Sequence, residues 1–145
     1  MPIKRLDHIS VVVEDLEAAI TFFTELGMSM AGKGSVAGDW VDRINGIKGI
    51  QADIVMMKTP DGHGQLELTK FRNPKLIPIT PRIAPPNALG LRSVMFAVEN
   101  LDETVAHMLD HGGELIGEVV QYENSYRLCY MRGPGGIIVS LAEEL

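Results

Sequence analysis

Leu6-Asp7-His8-Ile9-Ser10-Val11-Val12-Val13-Glu14-Asp15-Leu16-Glu17 lies over Leu91-Arg92-Ser93-Val94-Met95-Phe96-Ala97-Val98-Glu99-Asn100-Leu101-Asp102 when the sequence is slid against itself by 85 residues. Leu, Val, Glu and Leu are identical in the pairing, several other positions are conservative, and the same slide carries Gly27 onto Gly112. A duplicated unit of this kind fixes the architecture, because each copy must solve the same packing problem.

Each copy opens with an extended run rich in β-branched residues and meets a residue that can cap a helix, Asp15 or Asn100. A helix follows and runs toward a glycine, Gly27 or Gly112, that can leave the right-handed region. In the second copy Asn100 and Glu103 have the spacing of a capping box. The first helix gathers Leu16, Ala19, Ile20, Phe23 and Leu26 on one stripe; the second gathers Leu101, Val105, Met108 and Leu109. A stripe needs a partner, and a sheet supplies it.

Three strands are expected after each helix: residues 28 to 37, 50 to 58 and 64 to 71 in the first copy, and 114 to 122, 126 to 132 and 137 to 142 in the second. Each copy therefore reads βαβββ. The fold class is α+β, with two tandem βαβββ modules forming a cupped mixed sheet and helices on its outer face. The modules are expected at residues 1 to 71 and 91 to 145 of one structural domain. Between them, residues 72 to 90 form a proline-rich linker that includes Pro85-Pro86, where fixed φ and missing N–H groups predict an ordered or extended stretch.

Strand periodicity assigns the faces. Ile9, Val11 and Val13 should meet the first helix while Leu6, His8, Ser10 and Val12 face away; the second copy repeats this with Val94, Phe96 and Val98 against Leu91, Ser93, Met95 and Ala97. In the closing strands Leu66, Leu68, Val139 and Leu141 face the helices, which leaves Gln65, Glu67, Thr69, Ile138 and Ser140 on the other side. His8 and Glu67 thus emerge together, a pair able to hold a divalent metal or to share a proton in acid/base work. A hydrogen-bonded core pair would account for the same spacing.

Composition sets the outer limits. With 145 residues, 46% of them hydrophobic, the chain can bury a core of its own. A net charge of −6, without long runs of either sign, argues against binding nucleic acid through clustered cations. The single cysteine, Cys129, has apolar neighbours and reads as a packed thiol in a reducing, cytoplasmic setting. No signal core opens the sequence and no run of 18 apolar residues occurs, so no membrane association is expected.

Several other features read as structural. His63, in the turn Asp61-Gly62-His63-Gly64, is expected to be exposed, as are His107 and His111, although their i, i+4 spacing suits zinc. Gly32-Lys33-Gly34-Ser35 lacks the Gly-Lys-Ser/Thr ending of a phosphate loop. It is expected to be a mobile loop carrying Trp40 as a lid. Met56, Met57 and Met95 would line either the core or an adaptable apolar pocket, the core being favoured. In the hairpin Tyr122 to Tyr130, Tyr126 and Arg127 are candidate ligand contacts, the arginine for a carboxylate. Cross-strand tyrosine packing is the equal alternative.

On Leu6-Asp7-His8-Ile9-Ser10-Val11-Val12-Val13-Glu14-Asp15-Leu16, Gln65-Leu66-Glu67-Leu68, Arg127-Leu128-Cys129-Tyr130-Met131-Arg132-Gly133-Pro134-Gly135-Gly136 and Ser140-Leu141-Ala142-Glu143, the chain resembles the vicinal oxygen chelate superfamily. That group includes glyoxalase I, methylmalonyl-CoA epimerase, extradiol dioxygenases and the fosfomycin- and bleomycin-resistance proteins. The resemblance implies four ligand positions, here His8, Glu67, Ser93 and Ser140. His8 and Glu67 keep the family's ligand types, whereas serine replaces the usual His or Gln at 93 and the usual Glu at 140.

Serine hydroxyls are poor ligands, so a divalent nickel, zinc, manganese or cobalt ion would be weakly bound or absent. Dioxygenase and fosfomycin-modifying activities, which need the second module's ligands, fall away. The resemblance leaves a glyoxalase I-like lyase or isomerase, with Glu67 as base and His8 as metal ligand or acid. The alternative is a metal-free protein that sequesters a small molecule, as bleomycin-resistance proteins do. Ser93, Ser140, Arg127, Tyr126 and Trp40 would contact the small-molecule ligand, and a homodimer is implied.

Overall fold

The computed structural model describes residues 2–145. It divides between Ile77 and Pro78 into two compact units, each containing one four-stranded mixed sheet. In the first unit β1 (Ile9–Val12) leads to α1 (Leu16–Leu26), β2 (Ser29–Ala37), α2 (Asp39–Asn45), β3 (Gln51–Lys58) and β4 (Gln65–Asn73). The second unit contains β5 (Ser93–Ala97), α3 (Leu101–Leu109), β6 (Glu114–Tyr122), β7 (Tyr126–Arg132), a single 3₁₀ turn at Pro134–Gly136, and β8 (Ile138–Glu144).

The sheets have the same order, β1-β4-β3-β2 and β5-β8-β7-β6. In each, the first strand runs parallel to the last and the other pairs are antiparallel. The βαβββ repeat read from the sequence is therefore present in both halves, and strand ends agree with the expected ranges to within two residues. Neighbouring register partners share a face, so the parallel pairing Ser10↔Glu67 puts these two side chains on one side, and Met95↔Ser140 does the same in the second unit.

The caps act as their residue types suggest. Asp15 Oδ1 accepts from the Ala18 N–H at 3.0 Å, and Asn100 Oδ1 accepts from the Glu103 N–H at 3.1 Å. Gly27 ends α1 at φ +120°, a conformation that costs a side-chain-bearing residue. The stripes are displaced slightly from expectation. Phe22, absent from the expected stripe, is buried and meets Phe23 edge-on with centroids 5.2 Å apart. Leu109, assigned to the second stripe, is 47% exposed, because α3 ends there and the chain turns away.

Against α1 lie Leu66, Leu68, Val55 and Met57, all buried, and against α3 lie Met131, Val139 and Leu141. Each fully buried side chain of this size contributes roughly 1.5–3 kcal/mol of transfer free energy. Met57 is core as expected. Met56 and Met95 depart from the favoured core placement: strand parity puts Met56 opposite Glu67 and Met95 opposite Ser140, on the faces turned away from α1 and α3, and Met95 is 57% exposed.

The segment expected to be a mobile loop is regular. Residues 29 to 37 pair with β3 along their length, and Trp40 stands exposed in the first turn of α2. The short helix is fixed by a small core of Val41, Ile50 and Ala52 with Val36 and Phe71 packed on it. Asp42 ties its far end by accepting from the N–H groups of Gly49 (2.8 Å) and Ile50 (2.9 Å). The linker places Ala84 in a buried position. No helix among the described residues is long and apolar enough to cross a membrane.

Candidate functional site

The face of the first unit's sheet turned away from α1, the face on which α2 packs further along, carries a connected set of polar side chains. Glu67, in the middle of β4, has its Oε1 held by two hydroxyls: Ser10 Oγ donates at 3.0 Å from β1, and Thr69 Oγ1 donates at 3.1 Å from the next position on the same face of β4. Its Oε2 is left for His8, whose Nε2 lies 3.5 Å away. His8 stands just before β1, so the parallel pairing of β1 with β4 brings the two together across 59 residues of sequence.

His8 has a second partner. Its Nδ1 is 2.8 Å from Asp7 Oδ2, and Asp7 Oδ1 accepts from Arg5 Nη2 at 2.9 Å and Nε at 3.2 Å. Hydrogen bonding to His8, reinforced by Arg5, holds the Asp7 carboxyl below its ordinary range. An ionised carboxylate only accepts, so Nδ1 carries the imidazole proton. In the neutral ring the Nε2 lone pair then points to the Glu67 side.

Two lone-pair donors therefore converge, with their side chains 31% and 22% exposed. Ligand atoms about 2.1 Å from a tetrahedral ion stand about 3.4 Å apart, so the 3.5 Å separation fits two positions of a divalent site. A histidine whose other ring nitrogen donates to a carboxylate is the usual arrangement behind such a ligand. Sequence reading missed Asp7, Ser10 and Thr69 as members of this group. Thr69 was legible from parity; Asp7 was not.

In the second unit Ser93, Met95 and Ser140 share the helix-free face, and Tyr126 and Tyr130 belong to it through the pairings Tyr126↔Glu144 and Tyr130↔Ser140. Ser140 is 1% exposed and its Oγ has no hydrogen-bond partner among the described residues. Tyr126 stacks on Tyr122 with centroids 5.6 Å apart and planes 29° from parallel, the cross-strand packing that the sequence offered as an alternative.

Arg127 departs from expectation. Its parity is that of Cys129 and Met131, and it turns to the helix, where Nη1 and Nη2 donate to Asp102 Oδ2 and Oδ1 at 3.0 and 2.9 Å. Glu143 Oε2 lies at 4.0 Å. The fork expected to receive a ligand carboxylate is filled by the protein's own. The Asp102 pairing raises the guanidinium's pKa further, and the same bonds lower that of Asp102.

The remaining histidines are exposed. His63 lies in a turn where its N–H donates to Asp61 Oδ1 at 3.0 Å. His107 and His111 place their rings 4.4 Å apart, with His111 Nδ1 2.8 Å from the His107 carbonyl oxygen. Cys129 is buried, and burial pushes its thiol pKa up, which leaves it a poor nucleophile.

This geometry has relatives among solved structures. A glyoxalase family protein from Bacillus cereus is 51% identical, with a TM-score of 0.95 over 100% of this chain and 97% of that one. A glyoxalase family protein from Enterococcus faecalis is 20% identical (TM-score 0.67; 97% and 98% covered). An antibiotic binding protein from a Streptomyces species, TnmS3, is 18% identical (TM-score 0.63; 100% and 99% covered). These last two share the fold. A comparison with curated protein sequences gave no match. The sequence model of the glyoxalase/bleomycin resistance protein/dioxygenase superfamily matches residues 5–141, nearly the whole chain, and the chain belongs to that superfamily.

Proposed function

We propose that this chain is a glyoxalase-like lyase or isomerase that removes a proton next to a carbonyl of a small metabolite, with Glu67 as the base. The observation that carries the reading is the line of groups Asp7–His8–Glu67 on the sheet face turned away from α1. Ser10 and Thr69 occupy Oε1 and orient the carboxylate, so Oε2 is the oxygen that takes the proton. Once protonated, Oε2 can donate to the His8 Nε2 lone pair, and Asp7 stabilises the imidazolium that results. The proton can then return to a neighbouring atom of the substrate, which is the isomerase outcome.

Alternatively, His8 Nε2 and Glu67 Oε2 would hold a divalent ion in place of that proton relay, and the ion would supply polarisation of the substrate carbonyl. Ser93 and Ser140 are not metal ligands by type, and Trp40 is in this reading a contact to the substrate. The test is deuterium exchange in heavy water with a panel of 2-hydroxycarbonyl compounds and thiol hemithioacetals of 2-oxoaldehydes, read by mass spectrometry. Incorporation at the carbon next to the carbonyl, lost in Glu67→Gln, supports the proposal. A panel with no exchange in the presence of nickel, zinc, manganese or cobalt sinks it.

A second reading is ligand sequestration without chemistry. It is favoured by serine at both second-unit positions and by the use of this fold in an antibiotic binding protein. Under it, Glu67→Gln leaves ligand affinity within a few-fold of the parent.

A further inference from the structure

The second unit carries four arginines and nine aspartate or glutamate side chains, so an arginine there has carboxylates to spare. Arg127 takes two of them. Arg92 and Arg132 take none: among the described residues, every hydrogen bond of their guanidinium groups ends on a backbone carbonyl. Arg92 Nη2 donates to Ala84 O at 2.9 Å and Pro85 O at 3.0 Å. Arg132 Nη2 donates to the same Ala84 O at 2.9 Å, and its Nη1 to Gly136 O at 3.1 Å.

Two partly buried positive charges therefore share one neutral acceptor atom. Like charges this close repel, and desolvated guanidinium groups want a counter-ion that carbonyl dipoles replace only in part. Arg92 Nε is buried with no acceptor among the described residues. Glu114 is opposite Arg132 in the β6–β7 register, yet no ion pair forms between them. The carbonyl bonds fix the direction of both forks and leave donors over, since each guanidinium has five N–H groups. Register puts Arg132, Ile138 and the hydroxyl-bearing Ser93 on one face of the sheet.

We propose that Arg92 and Arg132 form a preorganised site for an oxyanion, a carboxylate or phosphate group carried by the protein's ligand, with Ser93 as an additional donor. The site does not depend on proton abstraction by Glu67. It assigns the ligand an acidic group, which suits recognition by paired arginine forks.

The test is a titration of the full chain with sodium phosphate, and separately with sodium propionate, at ionic strength held constant by sodium chloride. Binding is followed by amide and arginine Nε proton–nitrogen shifts. The expected result is saturable movement confined to residues 84 to 86, 92 to 93 and 132 to 137. Saturation by phosphate alone, or by propionate alone, identifies the source of the oxyanion.

Arg132→Gln and Arg92→Gln should each weaken binding tenfold or more, Arg132→Lys less, and Lys58→Gln, which removes an exposed positive charge of the first unit, should leave it unchanged. Circular dichroism establishes that each variant is folded. If a glutamine variant unfolds, the parent titration and Arg132→Lys still decide the question. Shifts that do not saturate, that chloride reproduces, or that centre elsewhere overturn the proposal, as does loss of binding in Lys58→Gln.

Discussion

His8 Nε2 and Glu67 Oε2 face each other at 3.5 Å, while the other atom of each pair, His8 Nδ1 and Glu67 Oε1, is already committed to Asp7 and to the hydroxyls of Ser10 and Thr69. The two uncommitted atoms are thus aimed by their committed partners. Replacing Glu67 by Gln removes the basic oxygen but keeps the shape and the Ser10 and Thr69 contacts. Exchange next to the substrate carbonyl should fall by about 10²–10⁴-fold, the usual weight of a general base. The melting temperature should stay close to the parent's, so a large drop in stability would mean that Glu67 is chiefly a packing residue.

Asp7 decides which nitrogen of His8 carries the proton. In Asp7→Asn the amide can offer either an oxygen or an NH₂, and the tautomer preference weakens. Nitrogen-15 spectra of the imidazole should show an Nδ1-protonated ring in the parent and a mixture in the variant. The pH dependence has a definite sign. The folded pKa of Asp7 lies below its ordinary 3.8, so its contribution is complete above that value and disappears as the pH falls through the lowered one. A parent ring with the proton on Nε2 at neutral pH would refute this assignment.

The repeat made the fold legible because its signals are local and independent. Asp15 and Asn100 are caps wherever they occur, Gly27 permits a positive φ, and alternation along β1 and β4 can place His8 and Glu67 on one face without knowing anything else. What escaped depends on geometry outside a regular element. Asp7 precedes β1, where the period of two no longer holds, and α2 has seven residues and no stripe to announce it. Arg127 was legible in principle: counting back from Cys129 and Met131 puts it toward the helix, but the residue type drew attention to ligands. Arg92 and Arg132 meet through Ala84, a linker residue that no periodicity could place.

Because Arg127 is spent on Asp102, its loss should act on stability and not on ligand affinity. Arg127→Met should lower the melting temperature slightly at neutral pH, as expected of a pair that solvent still reaches. The Asp102 pKa is held below its ordinary 3.8 by this pairing, so the stabilisation is present above that value and lost as the pH falls through the lowered one. Melting curves of parent and variant should therefore converge in acid. A ligand affinity reduced tenfold by Arg127→Met would return this residue to the binding site.

Gly113 sits where α3 gives way to β6, and a Cβ built there would lie 2.6 Å from Met131 Sδ and 2.9 Å from the Met108 carbonyl oxygen. The thioether can move; the carbonyl of the preceding helix cannot without unwinding its last turn. Gly113→Ala is expected to destabilise the protein by about 1–3 kcal/mol, the cost of overpacking a dense core. Denaturant unfolding measures it, and a cost near zero would show that α3 shifts freely on its sheet.

Ser140 poses the opposite case. A hydroxyl taken out of water with no partner is a cost that the folded protein carries, and deleting it should relieve that cost. Ser140→Ala is therefore expected to raise stability, by about 1 kcal/mol, in the ligand-free protein. If a ligand normally supplies the missing partner, the same change should weaken its binding by about tenfold or more, since 1.4 kcal/mol corresponds to a factor of ten. Stability and affinity would then move in opposite directions in one variant. A variant that is less stable than the parent and binds equally well would make Ser140 an ordinary packing residue, and would leave His8 and Glu67 as the only ligand-type residues of the family's four positions with work to do.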